Sequence, residues 1–188
     1  MSNPTMNTET TNLQKQWNID VAHTNINFAV SHMVISEVTG TFKEFNGTVL
    51  STNEDFSDAQ INIAINAKSI NTENGDRDNH LRSADFFDAE NHPELTFKST
   101  HIEVKGKNAL LITGDLTMRG ISKQVVLDAK FKGQAINPWG QIVAAFKATS
   151  TINRKEWGLS WNAALEAGGF LVGEEIELTL NVELNPTK

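Results

Sequence analysis

The chain has 188 residues, the usual length of a single domain. Its 23 acidic residues outnumber 16 basic ones, and the net charge of −7 disfavours binding to nucleic acid or docking on an anionic membrane surface through a basic patch. The absence of cysteine excludes disulfides, thiolate-ligated metal sites and thiol nucleophiles.

The first 16 residues are rich in Thr and Asn and contain no apolar stretch, which predicts a disordered tail and not a secretory signal. We therefore expect a cytoplasmic protein as the sequence is written, or a periplasmic one if a signal has been removed. No run reaches the ~18 apolar residues of a transmembrane helix. Residues 17–188 are predicted to form one domain.

From residue 17 onward, apolar residues recur at every second position, the period of a strand with one buried face. The phase changes at residues 23–25 and again at Lys43–Glu44, where we predict a β-bulge. Short polar turns between the segments predict antiparallel neighbours. The alternating segments are 17–21, 26–30, 38–49, 59–67, 95–104, 110–118, 125–131, 142–152 and 176–184.

About eight such strands must close into a barrel or fold into a sandwich, because their apolar face has to be buried. Strands of nine or more residues favour an eight-stranded antiparallel barrel. Two segments lack the alternation and are predicted to be short helical or loop segments, one around residues 76–90 and one around residues 157–170. Within them, residues 76–84 could form a short helix and residues 163–165 a helical turn.

The inward face of the barrel is the first candidate site. A barrel of this size is filled by its own side chains or holds one small ligand. Small inward residues such as Gly40, Gly114 and Ala148 leave volume unless aromatic side chains fill it, so both alternatives stay open. The residues predicted to contact a ligand chain are Phe28, Val30, Phe42, Ile63, Ile65, Phe86, Leu116, Phe131, Phe146 and Leu178.

The segment from Arg77 to Asp88 is the second candidate site, since it holds two of the chain's four Arg residues. Its alternating acids and Arg residues can satisfy each other, and Phe86–Phe87 can act as an apolar plug. The segment is predicted to be a self-paired loop that closes the barrel or a polar lid that contacts a ligand head group. The residues predicted for the lid are Arg77, Asp78, His80 and Arg82.

Catalytic motifs are absent: the sequence has neither HExxH nor G-x-S-x-G. Asp20, His23 and Thr24 look like pieces of a triad, but at a strand end such residues more often bond to backbone N–H groups. We expect no catalytic residue and no enzymatic activity. A hydrolase that uses the Asp76–Arg82 cluster remains an alternative, as does a filled barrel that acts as an interaction module.

Metal ligands are also not arranged in a known motif. Asp76, Asp78 and His80 alternate along one stretch, and His80 and His92 could meet across an irregular segment. We interpret them as solvated surface groups and expect no metal and no cofactor.

Seven sequence blocks resemble motifs of the YceI-like family and occur in the same order as in that family. Together they cover residues 17–184. The block from Arg77 to Asp88 is the most distinctive. Gln124 stands where many members have Pro, and many members carry a secretory signal that this chain lacks. The blocks read WNIDVAHTNINFAVSH (17–32), GTFKEFNG (40–47), SINT (69–72), RDNHLRSADFFD (77–88), PELTFKST (93–100), GDLTMRGISK (114–123) and RKEWG (154–158).

The resemblance implies a lipocalin-like barrel with a long apolar tunnel. It implies an amphiphilic ligand such as a polyisoprenoid, an isoprenoid quinone or a fatty-acid derivative, held by a carrier, buffer or storage protein. The resemblance carries over no established catalytic residues, and the expected ligand is the lipid, with no cofactor. It also implies a possible homodimer, because dimers are common in the family.

Overall fold

The computed structural model describes residues 13–166 and 168–187, which are mostly β-structure. One helix, α1 (Gly75–Arg82), and two 3₁₀ helices (Ala67–Ser69 and Arg154–Trp157) interrupt the strands. Most of the predicted tail lies outside the described residues, and its last two residues, Lys15 and Gln16, belong to the first strand. The strands are β1 (Lys15–Ile19), β2 (Asn25–His32), β3 (Ser36–Phe42), β4 (Phe45–Ser51), β5 (Gln60–Asn66), β6 (Ile70–Asn71), β7 (Glu94–Gly106), β8 (Ala109–Met118), β9 (Ile121–Ile136), β10 (Ile142–Asn153) and β11 (Val172–Pro186).

The strands close into an eight-stranded antiparallel barrel, which confirms the predicted fold class over the sandwich. The order around the barrel is β1, β4, β5, β7, β8, β9, β10 and β11, and β11 returns to β1 with Leu184 opposite Ile19. Because β11 has 15 residues, its other half pairs with β2, which in turn pairs with β3. Strands β2, β3 and β6 extend the wall at that end.

Both predicted phase changes lie at breaks between strands, but the β-bulge predicted at Lys43–Glu44 is wrong, because the chain there leaves β3 and begins the separate strand β4. Residues 20–24 separate β1 from β2, and Lys43 and Glu44 separate β3 from β4. At the first break, Asp20 accepts a hydrogen bond from the Ala22 N–H (2.9 Å). Each break lets a strand bend while apolar side chains on both sides of it still face the interior.

One end of the barrel is closed by Phe56, from the loop between β4 and β5. Phe56 is only 2% exposed, although it lies in a polar stretch of sequence. Its ring packs against Trp17, Phe131 and Phe146, at centroid distances of 5.3, 5.5 and 5.0 Å. We call this the deep end.

Asp58 holds the Phe56 loop in place. Its carboxylate accepts hydrogen bonds from the Ser51 hydroxyl (2.6 Å) and from the N–H groups of Thr52 (2.9 Å) and Asn53 (3.1 Å). Burial opposes ionisation of Asp58, but these hydrogen bonds outweigh it and lower the pKa of the carboxyl to about 2. The loop is therefore fastened by a carboxylate that stays ionised in neutral and mildly acidic solution.

The opposite end is covered by α1 and the loop that follows it. Asn74 precedes α1 and caps it, because its side chain accepts a hydrogen bond from the Arg77 N–H (3.0 Å). In the loop after the helix, the side chain of Phe86 is buried, and its carbonyl accepts a hydrogen bond from Arg119 (2.9 Å). The predicted helical and loop segment around 76–90 is confirmed, and we call this end the mouth.

The segment after Trp157 is irregular, as predicted, but the expected helical turn at residues 163–165 is wrong. Ala164 forms a β-bridge with Phe170 instead. Gly168 and Gly169 have φ angles of +88° and +91°, which only glycine adopts easily, and they turn the chain back on itself. Within the described residues, no helix is long and apolar enough to cross a membrane.

Candidate functional site

The barrel interior contains two apolar chambers that lie end to end. The mouth chamber beneath α1 has a volume of about 160 Å³, and the deep chamber next to Phe56 about 70 Å³. A dry apolar cavity of about 150 Å³ holds a benzene-sized group, so by proportion the two chambers hold about nine carbon atoms. Both chambers are lined by the same four side chains, which form a constriction between them: Ile63, Phe97, Leu127 and Leu180.

Most of the predicted chain-contacting residues face one chamber. Phe146 lines the deep chamber, whereas Phe131 stacks behind it at a centroid distance of 4.9 Å and lines neither chamber. The other eight line the mouth chamber: Phe28, Val30, Phe42, Ile63, Ile65, Phe86, Leu116 and Leu178.

Aromatic rings fill part of the volume that small inward residues leave. A Cβ atom added to Gly40 would lie 2.3 Å from Cζ of Phe28, and one added to Gly114 would lie 2.4 Å from Cζ of Phe97. Each glycine is therefore required by the ring that covers it. The interior is neither empty nor solidly packed, because these rings divide the remaining space into the two chambers.

A third cavity, the vestibule, lies at the mouth between α1, β2 and the segment after Trp157. Its volume is about 360 Å³, and its walls include the polar side chains of His32, Asp76, Arg77 and His80. Trp161 also faces it and packs edge-on against His80, with a centroid distance of 4.6 Å. The vestibule thus offers polar contacts directly outside the apolar mouth chamber. The two cavities share Phe28, Val30, Leu81, Phe86 and Val172.

Arg77 and His80 are the two predicted lid residues that line the vestibule. Arg77 donates from Nε to the Thr72 hydroxyl and from Nη2 to the Thr72 carbonyl, both at 2.7 Å. Its Nη1 makes no hydrogen bond to the described residues, so both N–H groups of Nη1 are available to a ligand. His80 Nε2 lies 2.9 Å from Oδ2 of Asp85.

Asp78 and Arg82 have other partners and do not line the vestibule. Asp78 is buried and accepts hydrogen bonds from the Thr72 N–H (2.8 Å) and hydroxyl (2.6 Å). Arg82 donates to the carbonyls of Lys68 (2.7 Å) and Ile70 (2.9 Å). These contacts fasten α1 to the chain before it, which supports a structural role for both residues.

Arg154 is a buried cation at the mouth that the sequence reasoning did not single out as a site residue. It is 3% exposed and is one of the residues that line the mouth chamber. Its guanidinium donates to the carbonyls of Gly173 (2.7 Å), Trp161 (3.0 Å) and Leu159, so it fastens the segment after Trp157 to β11. Burial lowers the pKa of Arg154, and the charge of Glu174 opposes this. Two features of the sequence could have identified Arg154: it is one of only four Arg residues in the chain, and it belongs to the RKEWG block.

Asp20, His23 and Glu183 form the one group of three possible metal ligands in the described part of the chain. His23 Nδ1 lies 3.0 Å from Asp20 Oδ2 and 3.8 Å from Glu183 Oε1. The hydrogen bond between His23 and Asp20 lowers the pKa of Asp20 and raises that of His23. Asp20 also accepts from Asn185 (2.9 Å) and Ala22 (2.9 Å), so the group caps the turn between β1 and β2.

The two histidines that could have shared a metal each face a carboxylate of their own. His80 pairs with Asp85, and His92 Nε2 lies 4.0 Å from Oδ2 of Asp88. All of these groups are at least partly exposed, as expected for solvated surface pairs.

Sequence comparison assigns nearly the whole chain to one family. The profile of the YceI-like domain matches residues 17–184. A UPF0312 protein of Staphylococcus epidermidis is 36% identical over 171 residues, which are 90% of this chain and 97% of that one. A UPF0312 protein of Staphylococcus aureus is 36% identical over 167 residues, 88% of this chain and 95% of that one.

Solved structures share the barrel. A YCEI protein from Campylobacter jejuni has 30% identity and a TM-score of 0.69, over 84% of this chain and 90% of that one. BcnA from Burkholderia cenocepacia has 19% identity and a TM-score of 0.76, over 88% and 98%. A polyisoprenoid binding domain from Saccharophagus degradans has 13% identity and a TM-score of 0.68, over 91% and 98%. The last two show likeness of fold alone, but with the profile match over residues 17–184 the chain belongs to the YceI-like family.

Proposed function

We propose that the protein binds one amphiphilic lipid, with its chain in the two chambers and its head group in the vestibule, as a carrier, buffer or storage protein. The observation that carries this proposal is the order of the three cavities. Two apolar chambers lie in line inside the barrel, and the vestibule at the mouth adds polar groups. That order matches an apolar chain with a polar end.

The burial of the lipid's apolar chain supplies the driving force for binding. Each CH₂ moved from water into an apolar site contributes about 0.8 kcal/mol, so nine carbons contribute about 7 kcal/mol. Association costs at least about 4 kcal/mol, which leaves weak binding for a chain that only fills the resting chambers. Tight binding requires a longer chain that displaces the constriction side chains, or a head-group contact.

Arg77 is the residue that we propose for the head-group contact. Arg77 lines the vestibule together with His80, and its hydrogen bonds within the described residues use Nε and Nη2, not Nη1. A charge-assisted hydrogen bond from a guanidinium suits an anionic or carbonyl oxygen. A fatty-acid derivative, an isoprenoid quinone and a polyisoprenoid with a polar head all satisfy this requirement, and the Saccharophagus degradans domain named for polyisoprenoid binding has the same fold.

One observation favours the alternative of a filled barrel that acts as an interaction module. The chambers together are smaller than the roughly 300–1,000 Å³ of most ligand pockets, and the rings of Phe28 and Phe97 lie in the space over Gly40 and Gly114. The two functions differ in whether those rings move to admit a chain.

The test is extraction of the purified protein with organic solvent, followed by mass spectrometry of the extract. We expect about one lipid per chain, and we expect delipidated protein to take up added lipid and to melt at a higher temperature. Protein that yields no lipid, takes up none from a series of chain lengths and keeps its melting temperature would contradict lipid binding and favour the filled barrel.

A further inference from the structure

The turn between β2 and β3 presents apolar side chains where turn chemistry favours polar ones. Residues 33–35 join His32 to Ser36, and Met33 and Val34 have φ angles of +52° and +67°. This region of backbone conformation suits Gly, Asn and Asp, and it is unfavourable for a β-branched residue such as Val. Val34 is nevertheless 78% exposed and Ile35 87% exposed. A local rule broken without a packing gain is a mark of a functional position.

Phe170 adds a fourth apolar side chain to this turn. The Met33 N–H donates to the Leu171 carbonyl (2.8 Å), which holds the irregular segment against the turn. Phe170 is 57% exposed and Met33 42% exposed. We call Met33, Val34, Ile35 and Phe170 the rim patch.

The rim patch adjoins the opening of the vestibule. His32, directly before Met33, lines the vestibule and pairs with Val172 across β2 and β11. Leu171, directly after Phe170, lines it too, and Val172 lines both the vestibule and the mouth chamber. Apolar residues therefore continue from the exterior to the interior of the barrel.

We propose that the rim patch docks the barrel mouth on the uncharged surface of a lipid bilayer, so that a lipid passes between bilayer and vestibule with little contact with water. This inference rests on the proposed lipid binding. The charged residues nearest to the patch in the sequence are all acidic, namely Glu37, Glu166 and Glu174, so attraction to anionic lipids does not contribute. Insertion of apolar side chains at the interface then provides the contact.

A protein partner fits the rim patch less well than a bilayer. Added together, the exposed fractions of its four residues equal the surface of fewer than three fully exposed residues. Even an aromatic side chain buries at most about 250 Å², so the patch alone falls below the roughly 800 Å² per partner of a stable protein interface, and a protein partner would also have to contact the polar residues around it. A bilayer requires no complementary surface, only apolar side chains that reach it.

The test is co-sedimentation with vesicles of pure phosphatidylcholine. We expect the wild-type protein to sediment with them, with no loss between about 0.1 M and about 1 M salt, which screens only charge interactions. Val34→Asn should reduce the bound fraction about tenfold or more. Because Asn adopts positive φ more easily than Val, the same variant should melt at an equal or higher temperature, so lost sedimentation cannot be attributed to unfolding.

Ile136→Asp is the matched control, since Ile136 is an exposed apolar residue on the β9–β10 hairpin at the deep end. It should leave sedimentation unchanged. The docking proposal is overturned if the wild type does not sediment, if Val34→Asn sediments like the wild type, or if only Ile136→Asp loses binding. It is also overturned if light scattering shows a dimer that Val34→Asn dissociates. Titration with a short-chain amphiphile in vesicle-free solution should give the same affinity for Val34→Asn and wild type. A wild-type protein that does not bind the amphiphile in this titration would refute the lipid-binding function itself.

Discussion

Replacing Ala148 with Leu should shorten the chain that the barrel accepts without unfolding the protein. Ala148 is buried, lines the deep chamber and lies between Ala129 and Leu180 on the neighbouring strands. The change adds three carbon atoms, and by proportion a chamber of about 70 Å³ holds about three. Because the new atoms fill an existing void, we expect the free energy of unfolding to change by less than about 2 kcal/mol in either direction.

The effect on affinity should depend on chain length. A chain long enough to enter the deep chamber loses room for two to three CH₂ groups, at about 0.8 kcal/mol each. The loss of about 2 kcal/mol corresponds to about 30-fold in affinity. A chain of about six carbons ends in the mouth chamber and should lose nothing.

The assay is calorimetric or competitive titration with a homologous series of alcohols of about six to twelve carbons, which spans the estimated capacity. Thr149→Leu is the matched control, because Thr149 is the next residue of β10 and is exposed on the outer face. We expect Thr149→Leu to bind the whole series like the wild type. An equal loss for short and long chains in Ala148→Leu, or no loss for long ones, would refute the assignment of the chain to the deep chamber.

Three further predictions concern the two ends of the barrel. Arg77→Gln should lower the affinity for a carboxylate amphiphile about 10- to 150-fold, from the loss of about 1.5–3 kcal/mol, and leave the affinity for the matching alcohol unchanged. Arg82→Gln should instead lower the melting temperature and leave the ratio of the two affinities unchanged. Equal losses of affinity for acid and alcohol in Arg77→Gln would reject the head-group contact. Phe56→Ala should lower the free energy of unfolding by about 3–5 kcal/mol in denaturant titrations, and a loss below about 1 kcal/mol would show that Phe56 does not close the deep end. The pKa of Asp58 is lowered from 3.8 to about 2, so its ionised form stabilises the fold above pH 3.8 and this contribution is lost as the pH falls towards 2. Since Asp58 is exposed, solvent screening reduces the contribution to about 1 kcal/mol. Asp58→Asn should remove it, so the free energies of unfolding of wild type and variant should differ at neutral pH and converge near pH 2. A difference that persists at pH 2 would contradict this.

The barrel could be predicted from the sequence because burial of one face imposes period two on every strand. The phase changes at residues 23–25 and at Lys43–Glu44 even indicated where two strands break. Phe56 could not be placed, because a single aromatic residue in a polar loop carries no periodicity that shows which way it points. The helical turn at residues 163–165 was wrong because Gly168 and Gly169 reverse the chain, a tertiary effect that local composition does not determine.

The candidate site was predictable in outline only. Alternation identifies inward residues, but whether Phe28 and Phe97 fill or spare the interior depends on their rotamers over Gly40 and Gly114. The segment from Arg77 to Asp88 covers one end of the barrel, which is a position that both of its predicted roles require. Arg77 and Arg82 differ in the groups that lie within reach of their guanidinium groups, and that depends on how α1 packs against the chain before it.

Nuclear magnetic resonance of the protein with labelled leucine methyl groups tests the central claim most directly. On saturation with an amphiphile of about ten carbons, close to the estimated capacity, the account predicts intermolecular NOEs from the chain to Leu127 and Leu180 at the constriction and to Leu184 in the deep chamber. NOEs confined to a leucine of the outer face such as Leu111, at saturation, would contradict it.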